Sequence, residues 1–414
     1  MVKTVNNMAR AMKDSGIEWI GDIPADWNVI KTKHLCDIST GNQDTINRVD
    51  GGDYPFFIRS KNVERINTYS FDGEAVLTAG DGDVGKIFHY IDGKFDYHQR
   101  VYKFSDFRSV IGRYFYYYIS SNLIRELGKY NAKTTVESLR LPWLKEFPVI
   151  VSKIEEQQQI AQYLDDKVGQ IDSIIEKTKS SIEEYKKYKQ SIMTETVTKG
   201  LDPTVMMKDS GVEWIGDIPE HWDMVKIKSL LYEINERNVD ENAVLLSLFT
   251  ALGVAPRSEM EEKGNKAVTV INYKIVKRGD LIVNKLLAWM GAIAFSDYEG
   301  VTSPDYDVYR FHENAEALTE FYEWYFRFTK FKDDCYKFGR GIMMMRWRTY
   351  PAQFKNIYVV NPPLEEQKQI IDYLKQKIAD IDQLIDKKQR LITELESYKK
   401  SLIYEVVTGK KEIN

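Results

Sequence analysis

Met12-Lys-Asp-Ser-Gly-Ile-Glu-Trp-Ile-Gly-Asp-Ile-Pro24 returns as Met207-Lys-Asp-Ser-Gly-Val-Glu-Trp-Ile-Gly-Asp-Ile-Pro219, and Trp27 maps onto Trp222 at the same shift of 195 positions. A match of this length, with one Ile-to-Val difference, does not arise by chance, so the chain is an internal duplication. A second repeat pairs Ile154-Glu-Glu-Gln-Gln-Gln-Ile160 with Leu364-Glu-Glu-Gln-Lys-Gln-Ile370 at a shift of 210 and runs on to Val197-Thr198 against Val407-Thr408. The order is A-B-A′-B′. Because the shift grows from 195 to 210, the second A unit is longer by about fifteen residues. The A interiors, roughly 35–147 and 230–355, do not resemble each other, so two near-identical frames hold two different fillings.

The B units read as long helices. From Leu164 the inward positions step by four and three through Val168, Ile171, Ile175, Thr178, Ile182, Tyr185, Lys189 and Ile192; the ladder recurs through Leu374, Ile378, Ile381, Ile385, Lys388, Ile392, Leu395, Lys399 and Leu402. Heptads sustained this far predict a coiled-coil seam. Ser152-x-x-Glu155 reads as a capping box, Pro362-Pro363 precede the second helix, and Gly200 and Gly409 stand where a C-terminal glycine belongs. Each helix is about 45 residues, or roughly 65 Å at 1.5 Å per residue. Each finds its natural partner in its own copy. Antiparallel packing would put one A unit at each end and relate the halves by a pseudo-two-fold axis. Parallel packing would put both at one end, and unpaired helices would each lie on their own domain.

Inside A, the runs Glu74–Thr78, Lys86–Ile91, Val101–Phe104, Leu281–Val283 and Tyr306–Phe311, punctuated by Gly-Asp and Asp-Gly, read as hairpins. Each A unit ends in a helical, aromatic and basic stretch, Tyr114–Lys145 and Phe321–Lys355. The expected class is α+β, with curved sheets flanked by short helices and two long antiparallel coiled-coil helices between the two A units. The expected boundaries are 1–150 and 201–360 for the A units, with spacer helices at 151–200 and 361–414.

The 414 residues, 43% hydrophobic, 13% aromatic and 29% charged, with 11 Pro and 24 Gly, exclude disordered and collagen-like classes. Cys36 and Cys335 offer neither a disulfide framework nor metal spacing. The longest strongly apolar stretch, Leu281 to Phe295, is interrupted by Lys285 and falls short of the ~20 residues of a membrane span. No signal-peptide core precedes it. A soluble cytoplasmic protein is the expectation. The net charge of −4 argues against a uniformly basic coat, although basic patches can be offset elsewhere.

Gly80-Asp-Gly82-Asp-Val-Gly85 matches GxGxxG, but the strand-like Lys86–Ile91 and an Asp92-Gly93 turn follow where a dinucleotide site needs a helix, so it reads as a turn. Asn361-Pro-Pro-Leu364 resembles the NPP-aromatic motif of amino-methyltransferases, yet Leu364 cannot stack on a flipped base. There is no GxxxxGK[ST]. His34, His89, His98, His221 and His312 are scattered. No nucleophile, base and oxyanion set assembles. A binding protein without catalytic or metal residues is the better expectation.

The tails of the A units carry the sharper signal. Arg327, Lys330, Lys332, Lys337, Arg340, Arg346, Arg348 and Lys355 are interleaved with Trp324, Tyr325, Phe331, Tyr336 and Trp347; the first unit has Arg113, Arg125, Lys129, Lys133, Arg140 and Lys145. An amphipathic helix with a solvated basic face is the bland reading. Two divergent units held apart by a rigid spacer suit two different stretches of duplex DNA.

At this point the chain resembles the specificity subunits of Type I restriction–modification systems over nearly its whole length. The resemblance rests on Trp19-Ile-Gly-Asp-Ile-Pro24 and Trp214-Ile-Gly-Asp-Ile-Pro219, on Pro-x6-Glu-Glu-Gln at Pro148–Gln157 and Pro363-Leu-Glu-Glu-Gln367, and on Gly-Asp-Leu-Ile-Val-Asn-Lys285 with Ser303-Pro-Asp-Tyr306. The first helix start departs slightly, with Val151-Ser-Lys where a Pro is usual. The resemblance implies that each A unit is a target recognition domain for one half of a bipartite, asymmetric DNA site and that the helix pair is a ruler for the gap. It implies that the chain is non-catalytic, that two methyltransferase subunits dock on it, and that restriction subunits join them. S-adenosylmethionine, ATP and Mg2+ would belong to those partners.

By position, the candidate DNA-binding residues are Arg59, Lys61 and Asn62, then Gln99 and Arg100 beside His98, then Lys133, Thr134 and Thr135. In the second domain they are Asn284, Lys285, Tyr306, Arg340, Arg346 and Arg348. Trp19, Trp27, Trp214 and Trp222 are expected to serve the core or helix docking, since both copies keep them. Two rivals are a fused DNA methyltransferase and a coiled-coil scaffold whose end domains bind protein.

Overall fold

A computed structural model describes residues 10–128, 138–250, 252–259, 269–341 and 347–413. The chain forms two compact units, Met1–Lys179 with Gln389–Asn414, and Ser180–Lys388. The two long helices, Ile154–Lys199 and Leu364–Val407, have 46 and 44 residues. Each contributes one part to each unit.

Both units build the same frame from the repeated sequence. In the first, Met12–Asp14 pairs with Asp22–Pro24, and Asn28–Lys31 pairs with Pro148–Val151. In the second, Met207–Asp209 pairs with Asp217–Pro219, and Asp223–Lys226 with Tyr358–Asn361. All four ladders are antiparallel.

The Glu-Glu-Gln motif at each helix start locks frame to helix. Trp27 and Trp222 are fully buried, and their indole N–H groups donate to Glu156 at 2.8 Å and Glu366 at 2.9 Å. A buried indole N–H needs an acceptor, and a carboxylate in the first helical turn also complements the macrodipole. The following glutamine bridges inward. Gln157 donates to the carbonyls of Ser152 (2.8 Å) and Ser109 (3.1 Å) and accepts from the Ile111 amide. Gln367 repeats this with Pro362, Glu316 and the Leu318 amide. Trp19 and Trp214 likewise donate to Glu126 and Asp334, each at 2.7 Å.

Each unit holds its two helix segments antiparallel. In the first, Trp27 ties Glu156 to the neighbourhood of Gly409, while Asp172 meets Lys399 at 2.5 Å. In the second, Gly200 and Glu366 both border Trp222, while Lys189 meets Asp382 at 2.6 Å. Asp172 and Asp382 are 210 positions apart, as are Lys189 and Lys399, so one contact is made twice with the helices exchanging roles. The contact pattern therefore repeats between the units with the helices interchanged. Ile171, Ile175 and Ile392 are buried in the first unit, and Ile182, Leu374, Ile378 and Ile381 in the second. Gly200 and Gly409 end the helices at φ +76° and +70°, which an L side chain adopts only under strain.

The fillings share a core despite their unlike sequences. The first unit has a six-stranded sheet in the order Asp37–Thr40, Val101–Ser105, Phe71–Ala79, Phe88–Tyr97, Tyr54–Phe57 and Glu64–Ile66. The second has Leu231–Ile234, Tyr306–Phe311, Leu281–Asn284 and Ile293–Phe295, the same order as the first four. Helix Gly112–Leu127 and helices Thr319–Phe328 and Phe331–Phe338 follow the respective sheets.

Three local expectations change. Asp92-Gly93 is no turn: it lies inside Phe88–Tyr97, where Gly93 faces Gly73 across the ladder and both have positive φ. Ser152 forms no capping box, because the helix begins at Ile154 and the Ser152 hydroxyl turns to the Lys153 carbonyl. Part of the basic stretch serves docking: Arg113 pairs with Asp165 of the long helix, and Arg125 lies over the Tyr404 ring.

Both cysteines are buried and free. Burial pushes the Cys36 thiol up to about 12. Among the described residues no helix is long and apolar enough to cross a membrane, and no group of three or more His, Cys, Asp or Glu could hold a metal ion.

Candidate nucleic-acid interface

The two sheets end in an equivalent corner. In the first unit the central strand Phe71–Ala79 reaches its end with Ala79 opposite Val101, and the next carbonyl, Gly80, accepts from the Leu139 amide at 2.6 Å. In the second, Leu281–Asn284 ends with Asn284 opposite Tyr306, and the Lys285 carbonyl accepts from the Thr349 amide at 2.9 Å. Each corner gathers the end of the central strand, the turn into the neighbouring strand, and the chain just before a short helix, Leu141–Glu146 or Pro351–Phe354.

The first corner is polar and held together by its own ion pairs. Arg59 follows Tyr54–Phe57, and Arg100 sits in the turn before Val101–Ser105. Arg59 donates to one oxygen of Asp81 at 2.7 Å and Arg100 to the other at 2.8 Å. Partial burial raises the Asp81 carboxyl, but the two guanidinium hydrogen bonds outweigh it and leave its pKa lowered. Gln99 donates to Asp44 at 3.0 Å, and Lys61 and Asn62 are exposed. His98 is buried; its Nδ1 accepts from the Arg100 amide at 3.0 Å. Burial first, and Arg59 second, lower its pKa, which suits a neutral acceptor. Lys133, Thr134 and Thr135 lie outside the described residues.

The second corner is cationic with apolar outcrops. Arg340 and Arg348 are exposed and paired through their backbones at 2.8 and 3.0 Å, and neither has an acidic partner among the described residues. Trp347 stacks on Tyr336 with ring centroids 5.0 Å apart, and Trp289 lies at 6.2 Å from the same ring. Leu287 and Met290 are 43% and 53% exposed. Asn284 points inward, its amide oxygen accepting from the Leu286 amide. Lys285 leans toward Asp307 at 3.6 Å, and Tyr306 is half-buried. Arg346 lies outside the described residues.

Such corners can bind nucleic acid in two ways. Guanidinium groups contact phosphates or the guanine edge, and apolar tips contact a thymine methyl or wedge between bases. Sequence reading left Asp81 inside the Gly80–Gly85 turn and took Leu287, Trp289 and Met290 only as part of the apolar stretch Leu281 to Phe295. No local signal marks them, because their placement depends on strands far away in the chain.

Residues 24–184 and 219–396 match the family model for the Type I restriction modification DNA specificity domain. The chain is 23% identical over 421 residues to the Type I restriction enzyme EcoDI specificity subunit of Escherichia coli, covering 94% of this chain and 89% of that one. It is 26% identical over 294 residues to the Type I restriction enzyme MjaVIII specificity subunit of Methanocaldococcus jannaschii, covering 67% and 63%. Among solved structures, a chain from work on the assembly and conformational transition of the type I R-M system superposes with a TM-score of 0.68 at 12% identity, over 94% of this chain and 99% of that one. The HsdS subunit from Thermoanaerobacter tengcongensis gives 0.52 at 11% identity, over 94% and 98%. At these identities the structural likeness speaks for the fold.

Proposed function

The chain belongs to the Type I restriction–modification DNA specificity family, two copies of whose domain it carries, and on that premise we propose how its parts divide the work. It is the DNA sequence-recognition subunit of such a system. Each unit reads one half of a bipartite, asymmetric site through its corner, and the helix pair fixes the unspecified gap. The observation that carries this reading is one frame, locked twice by the same Trp and Gln contacts, presenting two unlike corners. Identical corners would suit a symmetric site; unlike corners suit an asymmetric one.

The chain is itself non-catalytic. Two methyltransferase subunits dock on it, and restriction subunits join them. Support for the number two comes from the repeat: Ile174 and Leu384, and Tyr188 and Tyr398, are exposed side chains related by the same 210-position shift, so each repeat offers a matching outcrop on its helices. S-adenosylmethionine, ATP and Mg2+ are assigned to those partners. Of the candidate residues, Arg59, Lys61, Asn62, Gln99, Arg100, Lys285, Arg340 and Arg348 contact DNA, while Asn284 and His98 shape the loops that carry them.

Methylome sequencing of cells with and without this gene tests the reading. A bipartite motif whose marks vanish with the gene is expected, as is no methyl transfer from a labelled donor by the purified chain alone. An unchanged methylome in cells that hold active partner subunits, or methylation by the single chain, refutes it.

A further inference from the structure

Asp81 stands between two arginines on the outer face of the first corner. It lies in the connection from Phe71–Ala79 to Phe88–Tyr97, with Arg59 22 positions before it and Arg100 19 after it. Each carboxylate oxygen receives one guanidinium: Oδ1 from Arg59 Nη1 and Oδ2 from Arg100 Nη1. The side chains of Arg59, Arg100 and Asp81 are 41%, 61% and 20% exposed, so the arginines reach solvent while the acid lies beneath them.

The backbone around the acid is fixed from several sides. The Gly80 amide donates to the Arg100 carbonyl at 2.8 Å, and its own carbonyl accepts from Leu139. A Cβ at Gly80 would sit 2.8 Å from that Arg100 oxygen, so only glycine permits the approach. The loop bearing Arg59 is tied at Ser60, whose carbonyl meets His89 Nε2 at 2.8 Å. The Arg100 amide is held by His98.

This arrangement is poorly explained by stability or by phosphate binding. Exposed ion pairs contribute little to folding. A carboxylate between two cations cancels part of the charge that would draw DNA phosphates, which need no defined orientation. Reading a guanine does need orientation, because O6 and N7 must meet two donors of one planar fork. A carboxylate that engages one amino group of each arginine fixes its plane, reduces the rotamer freedom lost on binding, and leaves its remaining donors for the ligand. Arg340 and Arg348 in the second unit have no such acid among the described residues, which suits phosphate contact.

We propose that Asp81 is a positioning residue that aims Arg59 and Arg100 at guanine edges in the major groove, making the half-site of the first recognition domain a guanine-containing one. The proposal rests on the DNA-recognition reading above.

The test uses the assembled complex with its methyltransferase subunits and the bipartite site found by methylome sequencing. Binding is measured on the cognate duplex, on duplexes with single substitutions in either half-site, on duplexes carrying 7-deazaguanine, which lacks the N7 acceptor, and on random duplex. Asp81→Asn is expected to lose about tenfold or more of the discrimination at guanines of the first half-site. Its discrimination at the second half-site should stay intact, which also reports a folded complex, and its affinity for random duplex should be equal or higher. 7-Deazaguanine should weaken the unsubstituted complex severalfold and Asp81→Asn hardly at all. Arg59→Ala and Arg100→Ala should reproduce the loss at guanine. Unchanged discrimination in Asp81→Asn, equal loss on every duplex, or a first half-site without guanine overturns the assignment and leaves DNA recognition standing. A complex that binds all duplexes alike overturns both.

Discussion

Replacing Lys274 by methionine exposes how the second corner is supported. Lys274 and Asp307 form a buried pair, 3.1 Å apart with side chains only 4% and 3% exposed, and Lys285 adds a second cation at 3.6 Å. The other Asp307 oxygen has no hydrogen-bond partner among the described residues. Burial pushes the Asp307 pKa up, against the pull of Lys274 and Lys285. Methionine keeps most of the lysine volume and removes the ammonium, leaving a buried carboxylate with only the more distant lysine. Breaking such a pair costs ~3–5 kcal/mol. The loss falls on strands Lys274–Val276, Leu281–Asn284 and Tyr306–Phe311, so hydrogen–deuterium exchange should show protection falling roughly 10²–10⁴-fold there, at about 1.4 kcal/mol per tenfold. Peptides of the first unit serve as the internal control. The sign of the pH dependence follows from the raised pKa. A carboxyl whose folded pKa exceeds its unfolded value opposes folding while ionised, and that opposition is relieved as pH falls through the folded value. Without Lys274 the folded value rises further, so the deficit should shrink on acidification, and Asp307→Asn in the same background should recover part of it. Protection within about threefold of the unsubstituted chain, or a deficit that grows as pH falls, would refute the reasoning.

Inserting one heptad into both long helices adds ~10 Å, about three base pairs at 3.4 Å each; methylome sequencing should show the gap lengthened, an insertion in one helix should abolish recognition, and an unchanged gap after matched insertion would end the ruler. Arg340→Ala and Arg348→Ala should each weaken binding to all sequences alike and reduce the slope of log affinity against log salt by about one; sequence-selective loss would reassign them to base contact. Hydrogen bonds from Lys31 and Lys33 lower the Glu146 carboxyl to about 2, but the pair is exposed and screened by water, so its contribution, present above the unfolded value of about 4.5 and lost as pH falls toward 2, is small; Glu146→Gln should flatten this part of the first unit's acid-unfolding curve only slightly, and a large change there would refute the reasoning.

The sequence by itself determined the duplication, the two long helices with their glycine ends, and the partner relation between the helices. These follow from local and periodic information: a repeated string, a seam with a heptad period, and residues whose backbone preferences are intrinsic. It also sorted Gly80–Gly85 into a turn, since the strand that follows is readable nearby. What the tertiary structure alone decided is which side chains meet at the corners. His98 and Asn284 were indistinguishable from exposed polar residues until the sheets buried them. Asp81 became a bridge only when three strands brought Arg59 and Arg100 to it, and Lys274 met Asp307 across 33 positions of chain. The common four-strand order of two interiors with no sequence resemblance was equally hidden. A strand register needs only that one set of alternate residues be buried, a condition many sequences satisfy. The contacts across it depend on pairings between distant segments, which no window along the chain contains.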